Sequence, residues 1–217
     1  MTASTSRLHR LRSVDPIQDL WFKPRTVFSI DRDAYEHREI DHDKYDIEQY
    51  ADRCSLKEFD SETRSFLKTH IGEETVSDRL KNANCTLFLA RHRDSGHSAG
   101  FYWSVVACSD PVWHDSYKIS VSNALVFNAY VAEDHRRQGV YRLLQSAVHN
   151  YLFSTTECES VITIVEDRNT ASLRANRRFG LQTKADNYLI KILSVNVLSI
   201  VKSDMITVLY VLQKGGV

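Results

Sequence analysis

Tyr130-Val131-Ala132-Glu133-Asp134-His135-Arg136-Arg137-Gln138-Gly139-Val140-Tyr141 is the stretch from which the rest of the chain can be read. It leaves an apolar, β-branched run at residues 124–132 and turns through two acids and two arginines. It then enters a segment in which Tyr141, Leu144, Gln145 and Val148 recur at helical spacing beside Leu143, Ala147 and Tyr151. The pattern predicts a strand, a turn and a helix over about 138–153. At such a junction the first helical N–H groups lack intrahelical partners and carry the positive end of the helix dipole. Gly139 lets a ligand come close to the main chain, so a phosphate or pyrophosphate suits the place. An ordinary solvated helix start fits the same residues.

Working outward, residues 85–90, 99–107 and 124–132 are rich in β-branched and aromatic side chains and predict a three-stranded antiparallel meander. Residues 92–96 supply its first turn and 109–111 open its second connection. Downstream, 160–165 reads as an apolar strand, 170–178 as a short helix closed by Gly180, and 205–212 as a last strand. Residues 187–202 carry a helical stripe, yet their β-branched content favours strand. Upstream, 26–30 reads as a first strand, 44–54 and 60–69 as helices, and 73–82 as a further helical turn or two after Gly72. Helices, meander, helix, strand, helix and strands in that order predict an α+β or mixed α/β fold. Residues 1–25 are expected as a flexible arm, and 26–217 as one domain.

The 217 residues suffice for a core without metal or disulfide staples. Lys plus Arg and Asp plus Glu both number 28, which argues against a general basic surface for nucleic acid. The four cysteines are too far apart for C-x-x-C chemistry and are expected reduced. The N-terminus, with Arg7, Arg10 and Arg12, faintly resembles a transit peptide, although a short disordered arm is the better reading. No apolar run approaches a membrane span, so the expectation is a cytoplasmic protein without membrane or nucleic-acid partners. His37 and His42, like His92 and His97, stand five apart, which does not suit a helical ligand pair, and no metal is expected. Asp41, Asp43 and Asp46 mimic a calcium loop but place Tyr45 at the fifth position and Asp46 where that loop needs glycine. Residues 31–60 hold 11 acids against 5 bases, a charge that would draw a cationic acceptor; solvated helix faces would carry the same charge.

Arg136 and Gly139 also resemble the pyrophosphate signature Q/R-x-x-G-x-G/A of the GNAT superfamily of acyl-CoA-dependent N-acyltransferases, with Tyr141 where that pattern has a small residue. Asn169-Thr170-Ala171-Ser172, followed by Arg178-Phe179-Gly180-Leu181, is similar to the family's N-x-x-S/A segment and its closing Gly-Phe. The resemblance implies a central, mostly antiparallel sheet flanked by helices. It also implies acetyl-CoA or another acyl-CoA as co-substrate. Arg136, Arg137, Gln138, Gly139, Val140 and Tyr141 would cradle the pyrophosphate, and the main chain of Tyr130 and Val131 would pair with the pantetheine amides. Asn169 and Ser172 would lie along the pantetheine arm; an N-cap and a solvent-facing helix position are their plainer readings.

The implied reaction is direct attack of a neutral amine on the thioester, with the oxyanion held by a backbone N–H near Ala129 or Tyr130. A tyrosine seven residues after the motif asparagine often protonates the departing thiolate in this family, and that position is Asn176. No carboxylate occupies residues 121–132, where many relatives hold a base. By topology, His114 and Asp115 are then the nearest candidate base and partner. Deprotonating a lysine-like amine of pKa ~10.4 at neutral pH costs about 4.6 kcal/mol, against about 1 kcal/mol for an amine near ~7.7–8. A small-molecule amine therefore suits better than a protein lysine. Two other readings are a catalytically silent CoA-binding module and a structural subunit, or homodimer, assembled through 187–202.

Overall fold

Along β4 (Ser98–Ala107) the side chains of Phe101, Trp103 and Val105 fall in the clusters on one side of the sheet, and Tyr102 and Val106 in the cluster on the other. All ten residues of the strand are buried, as befits a central strand covered on both faces. The computed structural model describes residues 20–39, 41–51, 54–114, 117–192, 195–200, 202–203 and 206–207. Around β4 they build an eight-stranded sheet from β1 (Leu20–Asp31), β2 (Tyr45–Tyr50), β3 (Cys85–His92), β4, β7 (Asn123–Val131), β8 (Ser160–Glu166), β9 (Gln182–Ile192) and β10 (Val195–Ile200). The spatial order is β10-β9-β1-β8-β7-β4-β3-β2. Neighbours run antiparallel except β7 and β8, which are parallel and joined by a helical crossover.

Helices cover both faces. On one, α1 (Ser61–Ile71) and α2 (Glu73–Lys81) set Leu67, Val76 and Leu80 against Leu87, Leu89, Phe101 and Trp103. Asp60 caps α1 by accepting from the Thr63 N–H at 2.9 Å, and Gly72, at φ 96°, separates the two helices. The small strands β5 (Val112–His114) and β6 (Tyr117–Ile119) extend this cover, joined in a second sheet by β11 (Lys202–Ser203) and β12 (Ile206–Thr207). The opposite face carries α3 (Val140–Thr155) and α4 (Thr170–Phe179), whose Leu144, Val148, Leu152 and Phe179 pack on Phe88, Tyr102, Val126 and Val161.

The α+β expectation and the three meander strands hold. Within 44–54, expected as a helix, Tyr45–Tyr50 instead form β2, an edge strand on β3. Tyr45 is buried, and the outward Asp46 and Glu48 meet Arg93 and Arg91 of β3 and its turn at 2.8 and 2.6 Å. Cross-strand ion pairs, which no local pattern displays, support the strand. β1 begins at Leu20, ahead of the expected start at 26, and lies between β8 and β9. The rest of the expected arm, 1–19, lies outside the described residues. The β5–β6 hairpin occupies what reads in the sequence as a plain connection. Of 187–202, residues 187–192 and 195–200 enter β9 and β10, as their β-branched content favours, and of the expected strand at 205–212 only β12 is described.

Candidate functional site

Strands β7 and β8 pair from Asn123↔Ser160 to Val126↔Thr163 and no further. Beyond that point the register of β7 on β4 slips: Phe101 opposes Tyr130 and Trp103 opposes Phe127, so Asn128 and Ala129 face Tyr102 alone. Asn128 takes φ 51°. A bulge of this kind bends its strand and takes residues out of the ladder. The parallel pair splays, and a cleft of about 1140 Å³ opens between residues 127–131 and 163–166.

At the cleft mouth the chain makes a 3-10 turn, Glu133–His135, then passes through left-handed backbone at Arg137 (φ 62°) and Gly139 (φ 86°) into α3. Helix α3 starts with no side-chain cap, so its first N–H groups are offered outward. A β-carbon on Gly139 would lie 3.3 Å from His42 Nε2. Six arginines line the cleft, Arg38, Arg136, Arg137, Arg142, Arg168 and Arg178, against one acid, Glu166, which pairs with Arg168 at 2.7 Å. Arg136 folds back so that its Nε donates to the Val131 carbonyl at 3.1 Å and its Nη1 pairs with Glu133 at 3.2 Å.

Below the mouth lies a polar floor. Tyr102 is fully buried, and its ring centroid is 5.9 Å from that of Tyr141. Burial pushes the pKa of the Tyr141 phenol up, against the opposing influence of Tyr102, Ser172 and Asn176. Burial also raises that of Tyr102, well above the usual phenol value. Asn176, fully buried, accepts from Gln145 Nε2 at 2.9 Å and donates to the Ser172 carbonyl at 3.0 Å. Asn169 caps α4 by accepting the Ser172 N–H at 3.1 Å.

The cleft thus brings together Tyr130, Val131, Arg136, Arg137, Gly139, Val140, Tyr141, Asn169 and Ser172. Gln138 belongs to the loop, but its side chain turns to Tyr45 and to the Asp134 carbonyl, outside the lining. Asn176 sits one layer beneath the floor residues it bonds. His114 lies on β5, buried and outside the lining, its ring 3.8 Å from that of Phe127; Asp115 falls outside the described residues. Sequence reasoning missed Arg38, Tyr102, Asn128, Gln145 and Thr163. Only Asn128 carried a signal, an asparagine tolerant of left-handed backbone within a strand. In the acidic stretch, Asp31, Asp46, Glu48 and Asp60 are held in ion pairs with Lys184, Arg93 and Arg91. Among the described residues no three His, Cys, Asp or Glu side chains converge as a metal site requires, and no helix is long and apolar enough to cross a membrane.

The strand order, the splayed parallel pair and the helix that starts at its mouth make this a GNAT fold. The likeness extends to solved structures. A Drosophila protein of known X-ray structure superposes with a TM-score of 0.55 at 12% identity, over 86% of this chain and 57% of its own. A tandem GNAT protein from the clavulanic acid biosynthesis pathway gives 0.52 at 16% identity, over 78% of this chain and 52% of its own. For a GCN5-related N-acetyltransferase from Kribbella flavida the values are 0.52 and 15%, over 77% and 58%. The chain therefore spans little more than half the length of each. No family model and no curated protein matches the sequence.

Proposed function

We propose that the cleft binds an acyl-CoA, most simply acetyl-CoA, and that the protein transfers the acyl group to the amine of a small molecule. The observation that carries this reading is the meeting, in one cleft, of an uncapped helix start with six arginines facing one acid. Such a place suits a ligand with several phosphate charges. The residues also fit the rest of the cofactor. Beyond Val126 the β8-facing edge of β7 has no ladder partner in β8, which leaves main-chain groups for the pantetheine amides.

Bound there, the co-substrate supplies a thioester carbonyl open to attack by an amine. The chain's part is to bind, orient and hold charge. The bulge at Asn128 and Ala129 supports a main-chain N–H as the oxyanion donor, because bulge residues leave the regular ladder. An acceptor amine with a pKa near ~8 would need only about 1 kcal/mol to become neutral at pH 7, so a weak base or a water-relayed one suffices.

Calorimetric titration with CoA, followed by thiol release from acetyl-CoA across a panel of small amines, tests the reading. Binding together with amine-dependent thiol release is expected, and a folded protein that does not bind CoA would remove it. Asn176 favours a second reading, a catalytically silent CoA-binding module, because an amide held by Gln145 and Ser172 does not titrate. CoA binding without thiol release from any amine would select that alternative.

A further inference from the structure

Behind the phosphate-facing loop lies a cluster of histidines that the acyl-transfer reading does not use. His135, half-buried, lines the cleft. Its Nδ1 is 2.9 Å from the hydroxyl of Tyr45, a residue 1% exposed. The same hydroxyl lies 2.9 Å from Gln138 Oε1, and Gln138 Nε2 lies 2.7 Å from the Asp134 carbonyl. These contacts fix every proton. A carbonyl only accepts, so the Gln138 amide must turn its NH₂ to Asp134 and its oxygen to Tyr45. Tyr45 therefore donates to Gln138, and the bond from His135 must be donated by an Nδ1–H. The titrating position of His135 is then Nε2.

We propose that His135 is a further anion-binding residue of the cleft: with Nδ1 committed to Tyr45, its Nε2 takes a proton from solvent when a phosphate-bearing ligand binds, so that affinity is coupled to pH. The inference rests on the CoA reading of the cleft. From β3, His92 faces His135 at a ring separation of 5.6 Å and shares with it the edge of Tyr45. His97, in the same β3–β4 turn region, and His92 both oppose a charge on His135, whereas Asp134 favours it. His42 meets Tyr45 from the preceding loop; its Nδ1 accepts from the Lys44 N–H at 3.2 Å and its Nε2 donates to the Gln138 carbonyl at 3.1 Å. Both ring nitrogens of His42 are thus engaged in the neutral form. Arg136 and Arg137, next in the chain, add further positive charge. Burial and the neighbouring histidines hold the His135 pKa below the ordinary imidazole value. A phosphate placed at the mouth reverses the balance by supplying the opposite charge.

The experiment is calorimetric titration with 3′-dephospho-CoA, whose pyrophosphate, unlike a phosphomonoester with a second pKa near ~6, keeps its charge over the range. From pH 7.5 to 5.5 the Kd of the native protein is expected to tighten several-fold, toward the limit of about tenfold that a one-unit pKa rise of a single group sets. Heats measured in buffers of different ionisation enthalpy should report proton uptake. His135→Gln should abolish both the pH dependence and the uptake. His92→Gln, which removes an opposing charge without touching the cleft, should move the midpoint of the dependence to higher pH. Binding whose Kd and proton count do not vary with pH, or which vary equally in His135→Gln, would overturn the inference and leave the CoA reading intact. A folded native protein that binds neither CoA nor dephospho-CoA would overturn the CoA reading itself.

Discussion

Two left-handed residues, Arg137 and Gly139 on either side of Gln138, give the phosphate-facing loop its shape, and they should respond differently to substitution. Gly139, at φ 86°, has His42 Nε2 where a β-carbon would point, and it ends the loop at the first helical N–H groups. In Gly139→Asp a left-handed L-residue costs roughly 1–2 kcal/mol, and a carboxylate joins the phosphates. CoA affinity should fall at least tenfold by calorimetry. Arg137, at φ 62°, occupies without a glycine's freedom a conformation that glycine takes readily. Arg137→Gly should therefore hold its thermal midpoint within about 2–4 °C of the native value, as relief of strain and added unfolded-state freedom offset one another. Its CoA affinity should nevertheless fall several-fold, because one of six cleft arginines is gone. A marked loss of stability in this variant would show that the side chain, and not only its charge, shapes the loop. Residues such as Arg136, Gly139 and Asn169 were legible because their chemistry is local: a turn, a helix start, a cap. Arg38 and Tyr102 were not, since only long-range packing brings them to the same cleft.

At the scale of elements, the strands and helices with strong local periodicity were readable, and the misreading of β2 has a physical reason. Its six residues mix buried Tyr45 with partners for arginines more than forty positions away, so the stabilising partners lie outside any local window. The bulge in β7 was hidden apart from the hint of Asn128, because it is a property of pairing with β4. One glycine of β4 maintains that pairing. A β-carbon on Gly100 would stand 2.6 Å from the Tyr130 carbonyl oxygen and 3.3 Å from Leu144 Cδ1, with no flexible side-chain end to absorb the first contact. Gly100→Ala must push β7 away or displace α3, a type of overpacking that costs about 1–3 kcal/mol. Since β7 forms one cleft wall, the same shift should weaken CoA several-fold. Urea unfolding and calorimetry on one sample check both effects, and a variant with native stability would mean that the β4–β7 spacing yields freely.

The whole molecule closes through its early segment, which crosses to the far half of the sheet. Arg32 donates to the Phe153, Thr156 and Cys158 carbonyls where α3 ends, and the Tyr35 hydroxyl donates to Asn150 at 2.6 Å. Inside this closure lies His149, fully buried, with Nδ1 donating to the Gln145 carbonyl at 2.7 Å. Phe179, Tyr35 and Phe153 surround its ring at 4.8, 5.9 and 6.4 Å, and its Nε2 has no hydrogen-bond partner among the described residues. Burial pushes its pKa down to about 4 from an ordinary 6.5. The sign of the consequence follows from proton counting. Between pH 6.5 and 4 the unfolded chain binds a proton on this imidazole that the folded protein does not, so stability falls as pH falls through that window. The full loss is about 3 kcal/mol, reached near pH 4, below which both states carry the proton. Asp60, held low by the Thr63 N–H and Arg91, loses its own contribution only below the ordinary carboxylate pKa, so it does not mask the effect. Urea midpoints measured from pH 7.5 to 4 should decline in the native protein. In His149→Phe, whose ring suits the aromatic surroundings, most of that decline should disappear. An equal slope in the variant would place the acid sensitivity elsewhere in the molecule, with His135 the next group to substitute.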